Sequence, residues 1–553
     1  MAGYTKIALT GIMLLAIFFR FYDLKNTPPG LYADEAMNGN NILEARAMNS
    51  PAGGLKVFYK DNNGREGLFI NLQALSVAAF GNKPWALRLP SAIFGTLTVL
   101  GLFYLSRILF WESRYRDHIA LAAAFFMASS FWHILFSRIG FRAITAPFFL
   151  VWGLFFLIKI YKNIGSRLSQ IFSAIIGGLL FGLGFHSYLS YRVSPALALL
   201  PIIAGLIKHW RDEGELRKFI ILNFIFIIFA LAAFLPLGLY FMENPGDFLG
   251  RTSQVSIFAT DSPLQSLSEN IVKTTGMFWV AGDFNWRHNY SGSPQLFWPV
   301  GIFFLIGLIH IFYLIFKKGA KSESRFNAWF LLFWLLLMLL PVIISSEGLP
   351  HALRSIIVIP AAMIISAWGL KTAMARLFKW LSGQKERYDE YAHQIRRIGK
   401  EIKILLAALL IFIAWNSYDL YFNNWALNPQ VYSAFDERKS DIANYLNKFA
   451  NDTEKIVAIT SERIDSRIVT ISSQPILFET DTFLIEKRRE KNFYYLAPDE
   501  VKQKLRSEFP EKAVIVFLND DPEDQKLMGD LLKEFNKFKV SFGGTFIALV
   551  AAP

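Results

Sequence analysis

Residues 218–241, KFIILNFIFIIFALAAFLPLGLYF, decide the fold of this chain. The stretch carries one charge, on Lys218, and is long enough to cross a bilayer as a helix, which takes about 20 apolar residues. Soluble proteins carry about 25% charged residues, whereas this chain carries 18% and is 53% hydrophobic. We therefore predict a mainly α, polytopic helical membrane protein.

Similar apolar segments recur up to residue 422. We predict about eleven membrane-spanning helices, at 6–22, 86–109, 118–137, 143–161, 170–190, 194–208, 218–241, 297–316, 326–345, 354–371 and 403–422. The segment 194–208 is the weakest, because it is short and has Pro195 near its start. No small-residue cleavage site follows Phe21, so we interpret the first segment as a retained span.

Basic residues collect in every second gap between these spans. The clusters lie at 107–116, 159–167, 208–218, 317–325 and 371–403. Because Lys and Arg are enriched in cytoplasmic loops, we place this side in the cytoplasm, and the N-terminus with it. The protein is then a multi-pass protein of the cytoplasmic membrane. The same rule explains the net charge of +13 without a nucleic-acid partner.

The chain becomes polar after Phe422. Helices are predicted at 436–450 and 522–538, and strands at 456–460, 513–518 and 545–550. Residues 423–553 are therefore expected to form a small extracytoplasmic α/β domain, and residues 1–422 the transmembrane domain with outer loops at 23–85 and 242–296. The chain has no cysteine, which excludes disulfides and thiolate chemistry.

The acidic pair Asp34–Glu35, in Leu31-Tyr-Ala-Asp-Glu-Ala36, opens the first outer loop. An amphipathic stretch, Asn38 to Met48, follows with apolar positions at helical spacing. Carboxylates at the mouth of a membrane bundle are costly to desolvate, so they favour a functional interpretation. The alternatives are a helix N-cap for Asp34 and a favourable contact with the helix dipole for Glu35.

Further polar groups are predicted on the same outer face, against the usual bias of basic residues. They are Arg65 and Glu66, Arg138 and Arg142, His186, Tyr191, Asp283 and His288, and His351 and Arg354. An arginine fork binds phosphate oxygens in pairs, and a nearby carboxylate can accept a proton from an attacking hydroxyl. This combination predicts a transferase that acts on a phosphate-linked sugar.

Each of these groups also has a structural interpretation. Arg65, His351 and Arg354 can be interfacial anchors, and Arg138 and Arg142 can contact lipid headgroups. His186 and Tyr191 fit an aromatic belt, and Asp283 and His288 fit a surface turn. A divalent ion is a further possibility, with Glu35, Asp283 and His288 as ligands, although no fixed ligand spacing supports it. No other cofactor is indicated.

The acidic pair after the first span, together with Arg65 and the run Ala86-Leu-Arg-Leu-Pro-Ser-Ala-Ile-Phe-Gly95, resembles the GT-C glycosyltransferases. The resemblance covers residues 1–422. It is closest to the protein O-mannosyltransferases and the bacterial lipid A aminoarabinose transferases. A Lys-Pro-Pro sequence common in the aminoarabinose branch is replaced here by Arg-Glu-Gly, so the resemblance does not specify that sugar.

The resemblance implies a polyprenyl-phosphate sugar donor and an acceptor that is a protein, a lipid or a glycan. It implies that Asp34 is the catalytic base and that Glu35 orients it or approaches a metal. It places Arg65 against the donor phosphate. Arg138, Arg142, His351 and Arg354 are further candidates for the phosphate, and Glu66, Tyr191, Asp283 and His288 for the sugar or the acceptor.

Two other classes remain as alternatives. A lipid or solute transporter without enzymatic activity would need polar residues at the midplane and an inverted repeat of the spans. A membrane-anchored binding protein would carry its specific residues in the C-terminal domain. The polar groups crowd one predicted face, no repeat is visible and the C-terminal domain has no such cluster, so we favour the transferase.

Overall fold

The computed structural model describes residues 3–47, 54–254, 257–259, 262–346, 348–460 and 470–551. Two compact units make up the chain: Met1–Tyr22 with Ser91–Trp425, and Asp23–Pro90 with Ala426–Pro553. The first outer loop thus groups with the C-terminal residues, whereas the sequence analysis divides the chain at residue 422. Met48, the predicted end of the amphipathic stretch in that loop, lies outside the described residues.

The first unit is a helical bundle. Its helices are α1 (Gly3–Phe21), α4 (Pro84–Leu109, which begins in the second unit), α5 (Arg116–Ala128), α6 (Phe131–Phe136), α7 (Thr145–Tyr161), α8 (Arg167–Leu183), α9 (Ser194–His209), α10 (Glu213–Glu243), α11 (Pro245–Gln254), α12 (Pro263–Gly276), α13 (Trp298–Phe316), α14 (Ser322–Ile343), α15 (Ile359–Arg387) and α16 (Ala392–Tyr418). A π-helical turn, Asp419–Trp425, follows α16.

Within the described residues, nine helices are long and apolar enough to cross a membrane. They coincide with nine of the eleven predicted spans, including the weak segment 194–208, which lies in the helical stretch Leu189–His209. The chain is a multi-pass membrane protein. The predicted span 403–422 lies in α16 and the turn after it, which are not among the nine.

The predicted span 118–137 is wrong as a continuous helix. The chain breaks between α5 and α6 at Ser129 and Ser130. The Ser129 hydroxyl donates a hydrogen bond to the Phe125 carbonyl at 2.8 Å, and the Ser130 hydroxyl accepts one from the His133 amide at 3.5 Å. Such local bonds from serine compete with the helical ladder, which explains a break inside an apolar segment.

The second unit contains a five-stranded sheet and several short helices. The helices are α2 (Ala33–Arg46), α3 (Gly67–Phe80), α17 (Pro429–Ala434), α18 (Glu437–Leu446), α19 (Gln474–Glu479), α20 (Ile485–Glu490), α21 (Pro498–Ser507) and α22 (Pro522–Glu534). The strands are β1 (Phe58–Tyr59), β2 (Arg65–Glu66), β3 (Glu454–Ala458), β4 (Phe493–Leu496), β5 (Ala513–Phe517), β6 (Phe538–Phe542) and β7 (Ile547–Ala551).

The sheet has the strand order β4-β3-β5-β7-β6. Strands β4, β3 and β5 are parallel, with Ile456 opposite Tyr494 on one side and Ile515 on the other. β7 runs antiparallel to β5 and to β6. Helices α18 and α19 pack on the face of Val457 and Val516, and α21 and α22 pack on the opposite face. Side chains of a strand alternate between faces, so this α/β/α core accounts for the continuously apolar β5.

The predicted small α/β fold of the C-terminal part is therefore confirmed, with two strands that the sequence analysis missed. β4 lies in a segment that received no element, and β6 begins where the helix 522–538 was predicted to end. α22 ends at Glu534, so Phe538 starts the edge strand. Apolar and polar residues alternate over only five positions in β6, and so short a pattern is not distinguished from the end of an amphipathic helix.

Helix α2 is fixed within the second unit by contacts to α19. The Asn40 side chain donates hydrogen bonds to the Gln474 carbonyl at 3.0 Å and to its side-chain oxygen at 2.8 Å. Gly39 has no room for a side chain, because an added Cβ would lie 2.4 Å from the Phe478 ring. These contacts hold the helix that bears the acidic pair on the α/β core.

Candidate active site

Asp34 lies in the first turn of α2, which begins after the extended residue Tyr32. Its side chain is half-buried, and its Oδ1 accepts a hydrogen bond from the Asn62 amide at 2.8 Å. A carboxylate in the first helical turn is favoured by the exposed amide groups there. Asp34 thus keeps partial access to solvent and has an uncharged side chain as its hydrogen-bond donor.

Glu35, the next residue, is fully buried and paired with Arg88. Arg88 Nε lies 3.0 Å from Oε1 and Nη2 lies 3.0 Å from Oε2, so the guanidinium binds the carboxylate with two parallel hydrogen bonds. The same guanidinium donates to the carbonyls of Pro28 at 2.6 Å and Gly30 at 2.8 Å. The ion pair therefore neutralises Glu35 and fixes the turn that leads into α2.

Arg88 is a residue to which the sequence analysis assigned no site role. It belongs to the Ala86-to-Gly95 run that carries the family resemblance, and it is itself fully buried near the start of an apolar helix. A buried arginine needs hydrogen-bond acceptors or an anion as partners, so its position near the start of an apolar helix was the available signal. The identity of that partner depends on a contact across 53 residues of chain.

Arg65 is nearly buried and directed at α2. Its Nη2 donates to the Asn41 side-chain oxygen at 2.6 Å, and its Nη1 donates to the Asn38 side chain and to the Asp34 carbonyl at 3.5 Å. Glu66 is also buried and precedes α3 as its N-terminal flanking residue. Two of the predicted site residues, Asp34 and Arg65, are therefore neighbours in the second unit.

A second cluster lies in the first unit, in the loop between α12 and α13 and before α15. Asp283 Oδ1 accepts from the Asn285 amide at 2.8 Å, and Oδ2 accepts from the Ala352 amide at 2.8 Å. His288 Nδ1 and His351 Nδ1 lie 3.2 Å and 3.7 Å from the same Oδ2. The two imidazole rings stack with centroids 5.0 Å apart.

The pKa of Asp283 is lowered from its usual value. Burial of the carboxyl would raise this pKa, but the hydrogen bond from His288, the charges of His288 and His351, and the Asn285 amide outweigh it. Asp283 is therefore an anion at neutral pH. One ligand atom each from Asp283, His288 and His351 lies within 4.8 Å of the others, so the three residues can hold a metal ion.

Two of the three predicted metal ligands come together in the structure, and the third does not. Asp283 and His288 come together as expected, with His351, which the sequence analysis assigned to the phosphate, as the third member. Glu35 belongs to the second unit and is paired with Arg88. Two histidines and one carboxylate form a ligand set that zinc uses in catalytic sites.

The other predicted site residues of the first unit are engaged in the bundle. Arg138 is fully buried, donates to the Phe19 carbonyl at 3.0 Å and lies over the Tyr421 ring at 5.2 Å. The buried Tyr191 hydroxyl donates to the Phe181 carbonyl at 3.0 Å. Arg142 lies 5.6 Å from the Tyr188 ring, and Arg354 donates to the Ser345 hydroxyl.

His186, which the sequence analysis interpreted as part of an aromatic belt, lies in the same bundle. It is buried in the short 3-10 helix Gly184–His186, and its Nε2 lies 3.0 Å from the Ala233 carbonyl of α10. This contact ties the end of α8 to α10.

The first unit also contains an apolar cavity of about 420 Å³. Its lining includes Phe126, Trp279, Phe297 and Met363, and the polar side chain of Gln295. Gln295 is 5% exposed, and neither polar atom of its side chain has a hydrogen-bond partner within the described part of the chain. A buried amide without partners beside a cavity is a group that a ligand can satisfy.

Comparison with known proteins identifies a matching family profile and a similar fold. Residues 68–240 match the sequence profile of the dolichyl-phosphate-mannose-protein mannosyltransferase family. The chain superposes on ArnT from Cupriavidus metallidurans bound to undecaprenyl phosphate with a TM-score of 0.56 and 13% identity, over 99% of this chain and 98% of that one. The apo form of the same protein gives a TM-score of 0.54 and 14% identity, with the same shares covered.

A search among curated proteins gives no significant match. The family profile falls on the part of the chain that holds the Arg88 helix and the next spans, and the ArnT fold extends over nearly the whole chain. The resemblance drawn from the acidic pair, Arg65 and the run around Arg88 is therefore confirmed. The chain thus has the fold of ArnT, and residues 68–240 are similar to the dolichyl-phosphate-mannose-protein mannosyltransferase family.

Proposed function

We propose that the protein transfers a sugar from a polyprenyl-phosphate donor to an acceptor on the outer face of the cytoplasmic membrane. The family that matches residues 68–240 is named for a dolichyl-phosphate sugar, and the similar ArnT structure binds undecaprenyl phosphate. The alternation of basic clusters supports the orientation, with the acidic pair and the α/β domain outside.

The contrast between Asp34 and Glu35 is the observation that carries the proposal. Glu35 is buried and neutralised by Arg88, whereas Asp34 is half-exposed and has an amide as its hydrogen-bond donor. A general base must reach the acceptor hydroxyl and be able to take its proton. Asp34 meets both conditions, and Glu35 serves as a positioning residue that fixes the start of α2.

The reaction needs one proton transfer and one exchange of bonds at a sugar carbon. The acceptor hydroxyl oxygen attacks the anomeric carbon while Asp34 takes the hydroxyl proton. The bond from the anomeric carbon to the phosphate oxygen breaks, and the electron pair stays on the polyprenyl phosphate. Arg65 holds the helical turn of Asp34 through Asn38 and Asn41, which keeps the carboxylate in place during these steps.

The departing phosphate gains negative charge and requires cationic partners. We propose that Asp283, His288 and His351 bind a divalent metal ion, because two imidazole nitrogens and an ionised carboxylate converge there. When bound, the ion supplies positive charge for phosphate oxygens. Arg142 and Arg354 are the further phosphate candidates, while the enclosed contacts of Arg138 and Tyr191 favour a structural role for both.

The cavity lined by Gln295 supports a lipid-linked donor. Its aromatic and aliphatic walls fit an isoprenoid chain, and burial of such a chain is favourable by about 25 cal/mol per Å². The unpartnered amide of Gln295 can meet a polar group near the head of the lipid. This cavity belongs to the same unit as the Asp283 cluster.

The test is a transfer assay with the full-length protein in nanodiscs and a panel of labelled polyprenyl-phosphate sugars. Asp34→Asn is expected to lower the transfer rate by about 10²–10⁴-fold, the usual contribution of a general base. Glu44→Gln is the matched control, since Glu44 is a half-buried acid on the same helix. Consumption of no donor would overturn the activity, and equal rates for the Asp34 variant and wild type would overturn the base.

A further inference from the structure

We propose that the α/β core of the second unit carries a binding site for a neutral carbohydrate, in a cavity at the carboxyl end of β5. The cavity has a volume of about 370 Å³ and is lined by residues of α18, β5, α22 and the β6–β7 hairpin. As an acceptor site it rests on the proposed glycosyl transfer, while carbohydrate binding itself can be tested without that activity.

The cavity lies at the carboxyl end of β5, on the side of its antiparallel neighbour β7. In open sheets with parallel strands, ligands commonly bind outside the carboxyl ends of the strands. Phe517, the last residue of β5, lines the cavity together with residues from the first turn of α22.

The polar groups of the cavity are planar and fixed. Asp524 is buried, and its two oxygens accept from the Thr460 hydroxyl at 2.7 Å and the Asn519 amide at 2.9 Å. Arg438 donates to the Asn519 carbonyl at 2.7 Å and pairs with Asp520 at 3.4 Å. Its Nε is buried and lacks a hydrogen-bond partner among the residues described. Planar carboxylate and guanidinium groups of this kind match pairs of neighbouring hydroxyls in geometry.

The apolar part of the cavity supplies an aromatic surface. Phe542, at the end of the edge strand β6, is 77% exposed and also lines the cavity. An aromatic face is electron-rich and attracts the C–H groups on one face of a sugar ring. Exposure of a large aromatic side chain costs free energy, so a ligand that covers it is favoured.

The charges of the cavity disfavour an anionic ligand such as a nucleotide or a phosphorylated sugar. Asp520 and Asp524 line the cavity with one cation, Arg438. The turn from β5 to α22 reads Leu518-Asn-Asp-Asp-Pro522 and has no glycine to let phosphate approach the backbone. A neutral sugar satisfies the carboxylates and the guanidinium with its hydroxyls and covers Phe542 with its ring.

The experiment measures binding to the full-length protein in nanodiscs, without sugar-headed detergents, by saturation-transfer NMR and calorimetry. The probes are neutral oligosaccharides of glucose, mannose, galactose and N-acetylglucosamine, with oligogalacturonate and an oligolysine peptide as charged comparisons. At least one neutral oligosaccharide is expected to bind. Phe542→Ala is expected to weaken that binding by about tenfold, as for loss of one stacked ring.

Val540→Ala is the matched control, because Val540 is also exposed on β6 but does not line the cavity. It is expected to leave the affinity within about twofold of wild type. Binding of no neutral oligosaccharide, equal effects of the two substitutions, or preference for either charged probe would overturn the carbohydrate site. Asp34→Asn is expected to retain oligosaccharide binding while it lowers the transfer rate by about 10²–10⁴-fold, which separates failure of this site from failure of the proposed function.

Discussion

The centre around Glu35 and the centre around Asp283 both contain a buried carboxylate, but the two acids have different partners. Glu35 is bound on both oxygens by one guanidinium that also holds two backbone carbonyls. Asp283 is bound by backbone amides and faces two imidazoles whose nitrogens converge on one oxygen. In the first arrangement, the hydrogen bonds from Arg88 bind both oxygens of Glu35. In the second, the carboxylate and the two imidazoles lie close enough together to bind one cation.

This difference distinguishes a carboxylate with a structural role from one that can bind a further partner. An arginine fork saturates a carboxylate and leaves little capacity for a further partner, so Glu35 stabilises the fold. Asp34, one residue earlier, keeps the capacity of its carboxylate to bind a further partner. The comparison therefore favours Asp34 over Glu35 as the proposed base.

The largest expected effect is loss of the Glu35–Arg88 pair. Arg88→Met leaves Glu35 buried without a cation, which costs about 3–5 kcal/mol of unfolding free energy. The measurement is denaturant unfolding of the full-length protein in nanodiscs. The double variant with Glu35→Gln should recover much of the loss, since no charge is then left buried. A double variant no more stable than Arg88→Met would contradict the pairing.

A pH effect is expected from Glu479, a half-buried acid with a hydroxyl as its hydrogen-bond donor instead of an arginine. The Ser440 hydroxyl donates to it at 2.5 Å, and burial raises its pKa from 4.5 to about 7. The unfolded state loses this proton near pH 4.5 and the folded state near pH 7, so the free energy of unfolding falls as pH rises between them.

The loss amounts to up to about 3 kcal/mol by linkage and levels off above pH 7. Glu479→Gln keeps the oxygen that accepts from Ser440 and should remove this slope. The measurement is the denaturant midpoint at pH 5 and pH 8 for both proteins. A wild-type stability that rises over this range, with the variant unchanged in slope, would be inconsistent with the raised pKa.

The next effect concerns the metal at the Asp283 cluster. Asp283→Asn removes the anionic ligand and is expected to weaken zinc binding by about 100-fold or more. Loss of a residue that only hydrogen-bonds to a metal ligand typically weakens metal binding by about 10–100-fold. The measurements are metal content after dialysis and zinc affinity by competition with a chelator. Asp419→Asn, an acid of the same unit outside the cluster, is the control. Equal metal content in all three proteins would refute the site.

The smallest effect is expected at Asn62, the hydrogen-bond donor to Asp34. Asn62→Ala removes one uncharged hydrogen bond, worth about 1 kcal/mol, and should lower kcat about fivefold while KM for the donor stays near wild type. Steady-state transfer kinetics measure both quantities. A larger fall than that of Asp34→Asn would place the base elsewhere.

Hydropathy was sufficient to predict most of the membrane fold, because a span needs only length and apolar composition. It failed at 118–137, where two adjacent serines break the helix without changing the average composition. The strand β6 was missed for a related reason, since its residues alternate too briefly to be told from the end of α22.

Contacts within the candidate site were predictable where both residues lie in one loop and less so where they come from distant segments. Asp34 and Arg65 were both proposed from the first loop, and they are neighbours in the structure. The partnership of Glu35 with Arg88, and of His351 with Asp283 and His288, depends on contacts between distant segments. An arginine in an apolar helix indicates that a partner is near, but the sequence does not show whether that partner is a carboxylate, as for Arg88, or a backbone carbonyl, as for Arg138.

The hydrogen bonds from Asn40 to Gln474 join residues 434 positions apart. At about 5–20 residues per second, a ribosome needs roughly 20–90 s to pass from one to the other. During that interval the helix bearing Asp34 is already made but has no α19 to pack against. The helix of the proposed base is therefore fixed in place only late in biogenesis. A nascent chain that stops before residue 474 leaves that helix without its support.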